Sequence, residues 1–184
     1  MIPYTPGGEQ TGILRVFSCP SAWHGIERYI PDVIRDFNIE RDTALEFGVD
    51  KGYSTTVLAN FFRSVTGVDT FEDDIHAGKR DNDLFNITKN NLSSFSNITV
   101  IKDDFYNFIS HHNSHYNLVH IDIVHEYEPT FDCAEWAVQH CDIVLLHDTE
   151  SFPEIKRVCS DIACKYNLKF YNFKEHFGLG ILIK

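Results

Sequence analysis

Basic residues are scarce in this chain and nowhere gathered. Sixteen lysines and arginines stand against 27 acids, a formal net charge of -11 over 184 residues. Nucleic-acid binding rests largely on neutralising phosphates, so this deficit argues against DNA or RNA and for a small or neutral substrate. No apolar run exceeds strand length, so no segment reads as a membrane-spanning helix. Met1-Ile2-Pro3-Tyr4 lacks the basic stretch and apolar run of a secretory signal, which makes the cytoplasm the expected location. The five cysteines (Cys19, Cys133, Cys141, Cys159 and Cys164) include no CxxC pair. Their odd number favours reduced thiols over a disulfide framework. Neither GxGxxG nor GxxxxGK[ST] occurs, which counts against a dinucleotide or a phosphate loop.

What the chain does have is alternation. Apolar runs over Thr43–Phe47, Ser64–Val68, Ile98–Ile101, Leu118–Ile121 and Ile143–Leu146 read as buried strands. Helix-like stretches near Thr55–Phe62, Asp83–Phe95, Phe105–His111, Pro129–His140 and Pro153–Tyr166 separate or follow them. Such alternation implies βαβ units and a mostly parallel sheet. Leu168–Tyr171 and Leu179–Ile183 suit an antiparallel closing hairpin. The expected fold is therefore α/β, a Rossmann-like open sheet of about seven strands with helices on both faces. Residues 1–184 read as one domain, with an irregular arm over 1–22 and the α/β core over 23–184. Trp23 to Phe37 has helical spacing but contains Pro31, which predicts a kink or two short helices. Trp23, Tyr29 and Trp136 read simply as core aromatics.

Acids stand at or near the end of each of the first five strands: Glu46, Asp69, Asp103-Asp104, Asp122 and Asp148. In an open parallel sheet those ends meet at one edge, where ligands bind. An acidic crevice suits a ligand with hydroxyls, an amine and a positive charge, and would repel a pyrophosphate. The turn Glu46–Thr55 carries Gly48 and Gly52, which permit a tight bend and close approach of backbone to ligand. Ser54 or Thr55 is placed to cap the helix that follows. Asp69, about twenty residues beyond, turns this into a nucleoside site.

These blocks resemble the class I S-adenosylmethionine-dependent methyltransferases, above all the group related to sugar and macrolide O-methyltransferases. The match runs through Glu46–Thr55 (ExGxxxGxST), Gly67–Gly78 (similar to GVDTWxGDxHAG), His120–Glu128 (similar to HIDGxHxYE) and Leu146–Thr149 (LHDT). The resemblance implies that Glu46, Gly48 and Gly52 line the methionine end of S-adenosylmethionine. It puts Asp69 on the ribose hydroxyls and Asp104, or Asp103, near the adenine amino group. Ser54, Thr70 and Asp122 complete the cofactor-binding set. Asp122 and Asp148 fall where catechol-type enzymes place two metal-ligating carboxylates, which implies magnesium or another divalent cation. His125 stands where those enzymes have a catalytic lysine, and His120 and His147 are further nitrogen donors.

Ile123 and Asp73 depart from the family pattern, and Thr149 stands where catechol-type enzymes supply an asparagine ligand. A cap is the plain alternative for Asp122, and a surface position for His125. The functional reading makes His125 with Asp122 the catalytic pair. His125 then acts as the base that takes a hydroxyl proton, an imidazole titrating near pH ~6.5 being suited to that. Thr70–Asp83, with His76, reads as a lid. The expected reaction is O-methylation of a hydroxylated small molecule such as a sugar, releasing S-adenosylhomocysteine, in a chain compatible with a homodimer. The rivals are a cofactor-binding domain without turnover, a nicotinamide oxidoreductase and a nucleic-acid methyltransferase.

Overall fold

The structure, a computed structural model, describes residues 1–8, 14–72 and 81–184. His76, Gly78 and the central part of the expected lid lie outside the described residues. The strands are β1 (Ile2–Pro3), β2 (Thr43–Phe47), β3 (Ser64–Asp69), β4 (Ile98–Lys102), β5 (Tyr116–Ile121), β6 (Cys141–His147), β7 (Lys169–Phe173) and β8 (Leu179–Ile183). They form one sheet in the order β1-β7-β8-β6-β5-β2-β3-β4. Every pairing is parallel except those of β8 with β6 and with β7. The Rossmann-like reading holds, with eight strands in place of about seven.

The extra strand lies at the start of the expected irregular arm, whose other described residues form no helix or strand. Ile2 and Pro3 pair in parallel with Tyr171 and Asn172 at the edge of the sheet, a position where a strand proline sacrifices no central hydrogen bond. The Trp23–Phe37 stretch divides into a 3-10 turn, Ile26–Arg28, and helix α1 (Ile30–Asp36). Pro31 sits in the first turn of α1, where its missing N–H breaks no intrahelical bond.

The connecting helices are α2 (Tyr53–Ala59), α3 (Leu84–Leu92), α4 (Phe105–His111), α5 (Tyr127–His140) and α6 (Pro153–Tyr166). Strand alternation divides the core. Leu45, Phe47, Val119, Ile121, Val144 and Leu146 pack beneath Phe108, Trp136, Val158 and Ile162. Ala44, Leu118, Ile143 and Leu145 turn the other way, under Trp23, Ile26, Ile30 and Val57. Period-two spacing then puts Glu46, His120 and His147 on this second face, among apolar neighbours. Polar groups there need partners, and that need shapes the site.

Candidate active site

The chain leaves β2 for β3 and β4 on one side, then crosses back to β5 and β6 on the other. The carboxyl ends of β2 and β5 therefore open at a topological switch point, where ligands of such sheets bind. A cavity of about 340 Å³ lies there, large enough for a nucleoside-sized ligand.

Gly48 creates the floor of this opening. Its φ is 92°, and a Cβ there would stand 1.8 Å from the carbonyl oxygen of Asp122. Only glycine lets the end of β2 pass this close to the end of β5. The turn beyond is pinned by Asp69. Its Oδ2 accepts the N–H groups of Val49 and Asp50, both at 2.8 Å, and its Oδ1 accepts that of Phe71 at 2.7 Å. A carboxylate offers about four acceptor directions, so these three bonds commit most of the Asp69 carboxylate to the turn. Asp104 caps α4 by accepting the N–H of Tyr106 at 2.8 Å, while Asp103 accepts from Asn107. Both still line the cavity, as do Gly48, Ser54, Asp69, Thr70, Asp122 and Asp148.

Two residues expected on the cofactor wall lie elsewhere. Glu46 is wholly buried and is not among the cavity's lining residues. It accepts a short hydrogen bond from the Thr55 hydroxyl, and its Oε1 lies 2.9 Å from Nδ1 of His120. Strand alternation turns it under Trp23, which packs edge-on against His120 with ring centroids 4.6 Å apart. Gly52 is the left-handed residue that starts α2, with φ 91°, and faces the Leu92 side chain. It shapes the turn without lining the cavity. Neither Ser54 nor Thr55 caps α2, because Gly52 occupies the cap and Thr55 is committed to Glu46.

At the other end of the cavity, β5 and β6 bring Asp122, His125 and Asp148 together, with a potential ligand atom from each within 4.8 Å of the others. His125 Nε2 is 2.9 Å from Asp148 Oδ2 and 3.5 Å from Asp122 Oδ1. Behind them, buried His147 places Nδ1 3.3 Å from Asp122 and 3.5 Å from Asp148. Asp122 does not cap α5, whose cap residue is Glu126. Asp148 holds φ 65°, a strained conformation for a non-glycine residue and one that gathers at functional sites.

Electrostatics tie this cluster together. Burial alone would favour neutral His125, but Asp122 and Asp148 more than reverse it and bring His125 up to about 9. His147 is raised against its burial by the same pair, Asp122 first. Burial would likewise raise Asp122, yet the charge of His147 and the bonds from His125 and His147 hold it far below the usual carboxylate range. His125 is therefore an imidazolium at neutral pH, not the neutral imidazole that its ordinary pKa suggests.

Asp122 and Asp148, joined by His125 when its ring is neutral, form a donor set that fits a divalent cation. Thr149 does not contribute. It is 1% exposed and its hydroxyl donates to Asn172 Oδ1 at 2.7 Å.

The site also has a wall that sequence reasoning missed. Residues 19–22 of the arm line the cavity, together with Trp23 at the start of the core. The available signal was the pair of histidines, His120 and His147, on the apolar face of two strands, which an aromatic cover suits.

Residues 45–149 match the family model described as a methyltransferase domain. In structure the chain is similar to an O-methyltransferase from Bacillus cereus in complex with SAH, at 13% identity and TM-score 0.64, covering 93% of this chain and 84% of that one. It is also similar to the SAH-bound Podospora anserina methyltransferase, at 9% identity and TM-score 0.68, with 90% and 79% covered. In sequence, 94 residues are 30% identical to the Escherichia coli rRNA adenine N-6-methyltransferase, covering 50% of this chain. The matched span is 34% of the length of that relative.

Proposed function

The chain belongs to the methyltransferase-domain family, and on that premise we propose that it transfers a methyl group from S-adenosylmethionine to a hydroxyl of a small molecule. The observation that carries this reading is the division of the cavity. Nucleoside-type acceptors, Asp69 and Asp103-Asp104, stand at one end, and Asp122, His125 and Asp148 converge at the other. The sequence motifs shared with sugar O-methyltransferases favour a sugar-like acceptor.

S-adenosylmethionine supplies an electrophilic methyl group on a sulfonium. The chain's own residues do the rest. Asp69 fixes the turn Val49–Asp50 and stands on the cavity wall where the ribose would lie. The walls exclude water and hold the acceptor oxygen in line with the methyl carbon and sulfur, the largest source of rate in such a displacement. In its neutral form His125 takes the hydroxyl proton, and Asp122 and Asp148, beside its ring, stabilise the resulting imidazolium. Asp122 and Asp148 would hold a divalent cation, which would polarise the hydroxyl as a Lewis acid.

A nucleic-acid acceptor is the reading favoured by the likeness to rRNA adenine N-6-methyltransferases. The net charge of -11 and the acid-lined cavity oppose it, since phosphate binding needs clustered cations.

The test is a screen of hydroxylated acceptors, sugars first, for S-adenosylhomocysteine release by the wild type and His125→Asn. Turnover on a small hydroxyl acceptor, lost in the variant, supports the proposal. Turnover on RNA alone, or unimpaired turnover by the variant, contradicts it.

A further inference from the structure

One lysine stands among the cavity's acids. Asp50, Asp69, Asp103, Asp104, Asp122 and Asp148 line the cavity, and Lys51 is the only lysine or arginine among its described lining residues. It lies on the turn between β2 and α2, directly before the left-handed Gly52. Its charge reaches Cys19 on the arm across the cavity mouth, where it opposes the rise that burial gives the thiol. Its side chain is exposed, and it forms no ion pair among the described residues.

The position gains meaning from the cofactor reading above, on which this inference rests. The reactive sulfonium must face Asp122, His125 and Asp148, and the ribose must face Asp69. The amino-acid end then meets the wall that carries Pro20–Trp23, Asp50, Lys51, Tyr53 and Ser54. Its carboxylate would enter a cavity with six acids in a strongly acidic chain, where like charges repel it. A nearby ammonium is what that position lacks everywhere but at Lys51. We infer that Lys51 pairs with the α-carboxylate of the cofactor. It thereby makes the site prefer adenosyl ligands that carry an amino acid over bare nucleoside thioethers.

Two probes isolate that contact: S-adenosylhomocysteine, which has the carboxylate, and 5′-methylthioadenosine, which lacks the amino acid. Calorimetry on the wild type, Lys51→Met, Lys51→Arg and Lys169→Met reads both. Lys169 is exposed at the start of β7, at the opposite edge of the sheet, and its variant changes net charge equally. Lys51→Met is expected to weaken S-adenosylhomocysteine roughly fivefold, as one partly exposed ion pair allows. It should leave 5′-methylthioadenosine within about twofold, and Lys51→Arg and Lys169→Met should bind both like the wild type. The loss should shrink at high salt, because exposed charges are screened. Unchanged S-adenosylhomocysteine binding in Lys51→Met, equal loss of both probes, or equal loss in Lys169→Met would overturn the inference. A wild type that binds neither probe overturns the cofactor reading itself, and this inference with it.

Discussion

The two ends of the cavity are built on different physics. At the β3–β4 end, Asp69 and Asp104 are held by backbone amides, and their bonds belong to turns and a helix cap. At the β5–β6 end, Asp122, His125, His147 and Asp148 hold one another by charge, with contacts of 2.9 to 3.5 Å. Backbone amides carry no titrating proton, so the geometry of that end is set by the turn and the cap. A cluster of opposed ionisable groups keeps its geometry only while its protons stay in place. The binding end is thus fixed by backbone donors and the reacting end by charge.

The largest effect should come from joining the two ends badly. Gly48→Ala puts a Cβ 1.8 Å from the Asp122 carbonyl, at φ 92°. The backbone must move, at a cost of roughly 3 kcal/mol or more. Thermal unfolding should show the loss, and binding of S-adenosylhomocysteine should fall with it. Wild-type stability and binding in the Gly48→Ala variant would remove the switch-point geometry from the account.

Next in size, His125→Asn should separate the ends. Loss of the base is expected to lower turnover by about 10²–10⁴-fold, while S-adenosylhomocysteine affinity stays within about threefold. A parallel loss of binding would mean that the two ends are not independent.

The pH dependence should be smaller and should run in two directions. The His125 pKa is raised in the fold, from about 6.5 to about 9. Its stabilising contribution is therefore fully present below pH ~6.5 and is lost as pH rises through about 9. It should amount to roughly 1–3 kcal/mol. Turnover at saturating ligand should instead rise over that interval, as the neutral base becomes populated. His125→Asn should flatten the stability slope, and a wild-type slope that survives in the variant belongs to other groups.

Smallest of all, Thr149→Val should cost about 1 kcal/mol through the lost bond to Asn172. It should leave any effect of magnesium on activity unchanged. A shift in magnesium dependence would restore Thr149 to the ligand set.

Much of this arrangement is legible in the sequence because strand and helix periods are local. Thr43–Phe47, Phe105–His111, Pro153–Tyr166 and Leu179–Ile183 carry the predicted bounds. The acids Asp69, Asp122 and Asp148 also reach the one edge that the parallel sheet dictates. What escaped depends on partners far along the chain. The strand Ile2–Pro3 is too short to show a period, and its partner Tyr171 lies near the other end. Glu46 ends in the core because His120 and Thr55 satisfy it there, which the motif ExGxxxGxST does not reveal. The proton on His125 is set by Asp122 and by Asp148, the latter arriving from the neighbouring strand, and so a pKa taken from residue type fails.

The most direct measurement is calorimetric titration of S-adenosylhomocysteine into the wild type, Asp69→Ala and His125→Asn at neutral pH. The account predicts micromolar binding by the wild type and His125→Asn. For Asp69→Ala it predicts a loss of about tenfold or more, as the turn Val49–Asp50 loses its anchor. Equal binding by wild type and Asp69→Ala, or no binding by folded wild-type protein, would contradict it.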